Sequence, residues 1–475
     1  MRQNPPRHEC SILSELDVLH KILVRRGGAD PAASMPPQGF EHDNMRIARA
    51  ETRDHQRRQP RTLGEVLAAK TPFPTFREAR MMRKVNLVAT LLLWGCSGCR
   101  TQASGDSVVT TKDSLGIRIV ENRSLSEAAP WVLDTNSFVD VGGATSETTG
   151  EFSGYTYPVR LTSGRIVVAT GGELRYFDAR GNWQRSVGRP GAGPGEFKNL
   201  GWLSRGTIDT LFTYDWSLRR FSTFSGEGEL IREQAGPLGN YRPTGVLEGG
   251  AFLLQYEKSV DNSAAVGAAR DTVELVTVDP GGTRGKVIGR FLGSDYLVSR
   301  FDRAMSVSEL PFGSELLVSV RGANVYVGRS DRAEILVLGP DGQVVRLLRW
   351  DMAPSPVTSV DIDQYIAARA ATMREGPFRA LRIAALKEAP FPRNKPLFST
   401  LLIGEDGAIW IGRYSATAAP TVFDVFDSTG RSIGHVEMPT GLRPTQISAS
   451  FVLGTWEDPD DVQHVRVHAL RKRSD

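Results

Sequence analysis

Downstream of Gly116 the chain is built from short runs in which apolar and polar residues alternate, separated by Gly, Asp, Asn and Pro. A period of two turns one face of a strand towards a core, and a period near 3.6 persists in only one segment, described below. One five-residue pattern returns through this region, an apolar residue followed by Asp, Ser or Gly, then two residues and Gly. Its copies start at Phe177, Phe224, Val278, Leu338 and Phe426, so the intervals are 47, 54, 60 and 88 residues. Asp and Gly supply turn conformations that β-branched residues cannot, so each copy predicts a hairpin between the alternating runs beside it. A further strand precedes each hairpin, at 164–169, 206–212, 250–255, 324–328 and 407–412, and before most of these lies one more apolar stretch, as at 157–161 and 396–398. A sixth unit shows strands at 451–456 and 464–470, and the chain ends before its fourth.

Four strands per unit, repeating every forty to sixty residues, is the arithmetic of small sheets set radially, each burying its faces against its neighbours. The run Val187-Gly188-Arg189-Pro190-Gly191-Ala192-Gly193-Pro194-Gly195-Glu196-Phe197 falls between an outer strand and the next inner one, with a decayed copy at Gly150-Glu151-Phe152. It resembles the interblade loop of six-bladed, NHL-repeat-like bacterial β-propellers, many of which are lipoproteins of unassigned function. The resemblance extends over residues 113–471. It implies an all-β, six-bladed β-propeller closed by an N-terminal strand, in which Gly193, Pro194, Gly195, Glu196 and Phe197 form a structural interblade motif. The spare strand at 116–122 is expected to pair into the last blade beside 464–470, removing two exposed edges. The third unit departs from the pattern, with a long loop expected over 251–271.

The long fifth interval holds the one helical segment, 358–390. Val360, Ile362, Ile366, Ala370 and Met373 recur at helical spacing with Ser359 or Asp361 placed to cap, and a second helix opens on Pro377. Removing it restores an ordinary repeat length, so it reads as an insertion between blades 4 and 5, lying over one mouth of the ring.

Upstream, the run from Met81 to Cys99 has Arg83 and Lys84, then an apolar stretch from Val85 to Trp94, then small residues before each cysteine. The stretch is too short to span a bilayer. It resembles a bacterial lipoprotein signal, with lipid attachment at Cys96 or Cys99. Which of the two is modified stays open. The expectation is therefore a signal peptide at 81–99, a linker at 100–112, and a protein exported and lipid-anchored to the cell envelope, at the outer membrane or cell surface. Residues 1–80 bury little and read as a disordered or mis-annotated extension, with translation starting at Met81 or Met82. They carry 14 Lys and Arg against 10 Asp and Glu, which is the whole formal charge of +4, so the basic balance gives no reason to expect nucleic acid. Cys10, Cys96 and Cys99 are the only cysteines.

Candidate chemistry downstream is sparse. Gly191-Ala192-Gly193-Pro194-Gly195 is glycine-rich like a phosphate loop, but Pro194 removes a donor and no Lys-Ser or Lys-Thr follows. Glu151 and Glu196 recur in register, which favours a structural role over a channel-bound calcium needing six to eight oxygens. His464 and His468 lie four apart on one strand, about 13 Å, too far to share a metal. No metal site, catalytic residue or cofactor is assigned, with calcium the one conceivable ion. The helical segment carries Arg369, Arg374, Arg379, Arg382 and Lys387. These suit a basic cap that draws an anionic ligand to Arg374, Arg379 and Arg382, but the favoured reading is an ordinary solvated face balanced by Asp361, Asp363, Glu375 and Glu388. Trp202, Trp216, Trp350, Trp410 and Trp456 read as core. Together these features predict a binding or scaffolding module held to a membrane by its N-terminal lipid, with a protein or small molecule at the channel mouth. The alternative is a metal-dependent propeller hydrolase or lactonase with calcium in the channel.

Overall fold

The computed structural model describes residues 109–143, 151–152, 154–258, 260, 264–282, 284–301, 304–416 and 420–473. Cys96, Cys99 and the whole leader lie outside the described residues. The fold is propeller-like and mostly β. Three strands come first: β1 (Val109–Ser114), β2 (Ile117–Asn122) and β3 (Trp131–Gly142). Sheet I then follows with β4 (Tyr157–Arg160), β5 (Ile166–Thr170), β6 (Glu173–Phe177) and β7 (Trp183–Val187). Sheet II comprises β8 (Leu200–Arg205), β9 (Leu211–Asp215), β10 (Arg220–Phe224) and β11 (Leu230–Ala235). Sheet III has five strands, β12 (Tyr241–Val246), β13 (Phe252–Glu257), β14 (Gly267–Val278), β15 (Arg284–Phe301) and β16 (Ala304–Glu309). Sheet IV takes β17 (Leu316–Arg321), β18 (Asn324–Arg329), β19 (Glu334–Leu338) and β20 (Val344–Trp350), with β2 and β1 added at its outer edge. Sheet V is β21 (Phe398–Ile403), β22 (Ile409–Arg413), β23 (Val422–Phe426) and β24 (Ser432–Glu437). Sheet VI is β25 (Arg443–Ile447), β26 (Phe451–Glu457), β27 (Gln463–Lys472) and, returning from the start of the fold, β3.

All five copies of the turn pattern sit between the third and fourth strands of sheets I to V. In each the glycine, from Gly181 to Gly430, has a positive φ and donates its N–H to the carbonyl three residues earlier. The first strands of the sheets meet in a cycle: β4 lies against β8, β8 against β12, β12 against β17, β17 against β21, β21 against β25, and β25 against β4. Each interval between neighbouring sheets holds its own apolar core. Tyr176 and Leu174 of sheet I meet Leu203 and Phe224 of sheet II, for example, and Val465 and Val139 of sheet VI meet Ile166 and Phe177 of sheet I. No sheet here shields its own faces, so burial between neighbours is what stabilises them.

Three expectations are corrected. The strand at 117–122 does not reach the last sheet: β2 runs parallel to β20, with Asn122 opposite Trp350, and the strand that closes sheet VI is β3, antiparallel to β27 with Val139 opposite Val467. The polar interruption Asp134-Thr135-Asn136-Ser137 hides β3 in the sequence, and the pairing absorbs it in register shifts around His468. The excess length of the third unit is strand rather than loop, for β14 and β15 prolong their hairpin and β16 adds an edge. The described fold also starts at Val109, inside the stretch read as linker.

Between β20 and β21 lie two helices, α1 (Ser359–Thr372) and α2 (Pro377–Lys387). The cap of α1 is Thr358, neither Ser359 nor Asp361: its hydroxyl accepts from the Asp361 N–H at 3.2 Å while the Asp361 carboxylate accepts from the Thr358 N–H at 2.9 Å. That is a capping box with Asp in the third position. Lys395 Nζ lies 2.6 Å from Asp361, and together with the Thr358 bonds it holds that carboxyl at about 2. The helices rest on the turn leading into β17, where Phe312 meets the rings of Tyr365 and Phe391.

Candidate functional site

Because the six first strands meet in a cycle, whatever stands at their C-terminal ends comes together. Arg160 ends β4, Arg205 ends β8, Arg321 ends β17, Glu405 follows β21 by two residues, and Gln446 lies in β25. Sheets II and V are three steps apart round the cycle, yet the Arg205 guanidinium donates to the Glu405 carboxylate. Gln446 Nε2 donates to the same carboxylate at 2.8 Å and to the Arg160 carbonyl at 3.1 Å, while its Oε1 accepts from the Arg160 N–H at 2.8 Å. Arg321 donates to the Glu405 carbonyl. Five sheets thus contribute polar groups to one point, and Glu405 is its hub.

Arg205 is shared. Its other arm reaches Asp209 at 3.1 Å, and Asp209 also accepts from the Thr162 N–H at 3.0 Å. Burial alone would raise the Asp209 carboxyl; the bonds from Thr162 and Arg205 outweigh it and hold the group below its ordinary value. Burial lowers the pKa of the Arg160 guanidinium, with Glu405 opposing, and its Cζ lies 4.5 Å from the centroid of the Phe451 ring. Arg160 Nε is buried without a hydrogen-bond partner among the described residues. Beside this cluster, Ile208 and Asp209 both have positive φ, and Ile208 is 93% exposed. A β-branched residue held in that region costs of order 1–3 kcal/mol, and such strain concentrates at binding and switch sites. Three guanidiniums, two carboxylates and an amide brought together can bind a polar or anionic group by charge-assisted hydrogen bonds.

A second basic site lies on the helices. Arg369, Arg374, Arg379 and Arg382 line a cleft of about 240 Å³ with Thr372 and Met373. Arg379 is fixed there, donating to the Ala370 carbonyl at 3.2 and 3.1 Å and pairing with Glu375 at 2.8 Å. Arg374, Arg379 and Arg382, read from the sequence as a ligand surface, therefore do converge, and Arg369 joins them.

The glycine-rich run from Val187 to Phe197 joins β7 to β8. Glu196 accepts from the Gly193 N–H and from Arg189 Nε, each at 2.7 Å, and these bonds hold its carboxyl below the usual range. Gly195 N–H donates to Glu233 at 3.0 Å, Arg220 donates to the Gly193 carbonyl at 3.0 Å, and Pro190 bridges Phe197. Phe197 is buried against Phe224 as Phe152 is against Phe177, so both copies of the motif plant a phenylalanine under a turn. Glu151 is exposed and differs from Glu196. His464 and His468 have separate partners, Asp140 at 2.8 Å and the Asp134 carbonyl at 2.9 Å. Trp350 and Trp410 are buried. Among the described residues, no group of three His, Cys, Asp or Glu side chains is arranged to hold a metal, and no helix is long and apolar enough to cross a membrane.

The sequence matches no family model and no curated protein. Among solved structures, the chain is similar to a member of the DUF4221 family from Bacteroides vulgatus at 9% identity, with 72% of this chain and 99% of that chain covered and a TM-score of 0.41. It is also similar to virginiamycin B lyase from Staphylococcus aureus, at 10% identity over 72% of this chain and 100% of that chain, TM-score 0.34. The calcium-binding protein regucalcin from Agrobacterium tumefaciens gives 13% identity, 73% and 95% coverage, and a TM-score of 0.29. Likeness at this level assigns no activity.

Proposed function

We propose that the protein is a lipid-anchored, six-bladed β-propeller outside the cytoplasm, with a helical insertion between its fourth and fifth blades, that binds a polar or anionic ligand at the mouth where Glu405 is the hub. The observation that carries this reading is the convergence of Arg160, Arg205, Arg321, Glu405 and Gln446 from five sheets on one point. A ligand carboxylate or phosphate at this mouth meets the same donors that Glu405 now occupies. The cyclic order of the first strands and the six cores between sheets support the blade count.

Two experiments test the reading. With Cys96→Ser and Cys99→Ser together, the fatty-acid label that the parent takes up in cells is expected to be lost; a parent that takes up none, or a double variant that keeps it, contradicts the anchor. For the mouth, the full chain is recovered from cells with its bound molecules and compared with Arg205→Ala and Arg321→Ala. Molecules retained by the parent and lost by both variants at an unchanged melting temperature support it, whereas identical recovery from all three contradicts it. A rise in melting temperature of dialysed protein on adding calcium would favour the hydrolase alternative instead.

A further inference from the structure

We propose that the arginine cleft between α1 and α2 docks on the membrane, taking the phosphate of an acidic phospholipid headgroup. This rests on the lipid-anchor reading and adds to it an orientation. Four arginines line the cleft with Thr372 and Met373, no carboxylate stands among the described residues of its lining, and Glu375 beside it is held by Arg379. Arg369, Arg374 and Arg382 are exposed and make no ion pair or side-chain hydrogen bond among the described residues. A guanidinium presents a planar fork that matches phosphate oxygens, and three unspent forks around a cleft of about 240 Å³ suit a single phosphate monoanion or diester. Leu381, 48% exposed beside Arg382, offers the apolar contact that interfacial helices place at the acyl boundary.

The register of sheet IV says which end of the molecule the anchor meets. Val109, where the described fold begins, pairs with Asn122, and Asn122 pairs with Trp350, the last residue of β20. The segment carrying α1 and α2 leaves from that same strand end, and Val109 and Met352 pack on one apolar cluster. From Cys99 to Val109 the chain is about ten residues, which reach at most about 35 Å when fully extended. A lipid on Cys99 therefore keeps the start of β1, at the end of sheet IV from which the basic helices leave, within that reach of the bilayer, and Cys96 adds only three residues to it. Attraction of basic side chains to an anionic surface contributes about fivefold in partitioning per arginine, so three unspent arginines give on the order of a hundredfold.

The test uses the full chain carrying Cys96→Ser and Cys99→Ser, floated with vesicles of phosphatidylcholine alone or with phosphatidylglycerol added. The apolar run from Val85 to Trp94 contributes to both vesicle types, so the ratio between them isolates charge. A ratio of tens or more at low salt, falling as salt rises, and dropping at least tenfold with Arg369→Ala, Arg374→Ala and Arg382→Ala at an unchanged melting temperature, is the expected result; the basic residues upstream of Val85 are common to parent and variant and cancel in that comparison. Equal binding to both vesicles, or a triple variant that keeps the parent ratio, overturns the inference. Stabilisation by inorganic phosphate without preference for anionic vesicles would assign the cleft to a soluble anion and overturn it too. Fatty-acid labelling of the parent and of the same cysteine variants in cells tests the anchor separately, so failure of either claim is seen on its own.

Discussion

Phe197 shows how much of the contact between sheets I and II rests on single residues. It is 1% exposed, sits under the glycine-rich turn and touches Phe224 across the interval. Phe197→Ala is expected to cost roughly 3–5 kcal/mol in denaturant unfolding, the range for a fully buried aromatic that leaves a cavity. Gly188 lies over the same ring at a φ of +87°, where an added Cβ would stand 2.7 Å from it, so the loop tolerates no side chain at that point. His468 carries a different consequence. It is buried, its Nδ1–H donates to the Asp134 carbonyl, and burial lowers its pKa below the ordinary histidine value. The unfolded chain then binds a proton that the folded one refuses, so stability present above about pH 6.5 is lost as the pH falls through and below that value. Melting temperature should drop between pH 7.5 and 5.5 in the parent and less so in His468→Phe. Equal slopes would show that another group titrates in that window.

At the scale of the element, the hairpins were legible because their signal is local: a glycine with positive φ, closed by a bond to a residue three positions back, needs nothing from the rest of the chain. Both helices were legible for the same reason, although the cap shifted to Thr358 because its β-region backbone and hydroxyl complete a box with Asp361. Thr358→Ala should weaken α1 by about 1 kcal/mol, read as faster amide exchange in 359–362 with the sheets unaffected. The Asp361 carboxyl at about 2, against an ordinary 3.8, places acid release of this helix below about pH 4, where the stability it lends disappears. Partners far apart in sequence were not legible. β2 alternates well enough to close a ring whereas the polar interruption in β3 hides it, and what fixes β2 elsewhere is long-range: Asn122 at its end donates to the carbonyls of Arg349 and Gly430 and accepts from the Ser432 N–H, tying sheet IV to sheet V. The mouth cluster was missed likewise, since Arg160, Arg205, Arg321, Glu405 and Gln446 share no motif. Their common feature is position at or just past the end of a first strand, visible only once the units are aligned on their turns.

For the whole molecule, everything functional depends on closure. The mouth exists because sheet VI meets sheet I, and β3 supplies the outer strand of sheet VI from the opposite end of the fold, so that the ends of the domain hold each other. Closing a ring by pairing its first and last strands buries edges that would otherwise recruit other chains. The segment 123–130 crosses sheet V on the way, with the Ser126 N–H bonded to Ser432 and the Ala128 carbonyl accepting from the His435 N–H. The most direct test exploits the absence of cysteine after Cys99. In a chain with Cys10, Cys96 and Cys99 changed to serine, Asp140→Cys with Arg466→Cys places two thiols at directly opposed positions of β3 and β27. Mild oxidation followed by mass spectrometry should find the intramolecular disulfide in most molecules, and the control Val120→Cys with Arg466→Cys should give none. A crosslink in the control and none in the first pair would contradict the closed ring described here.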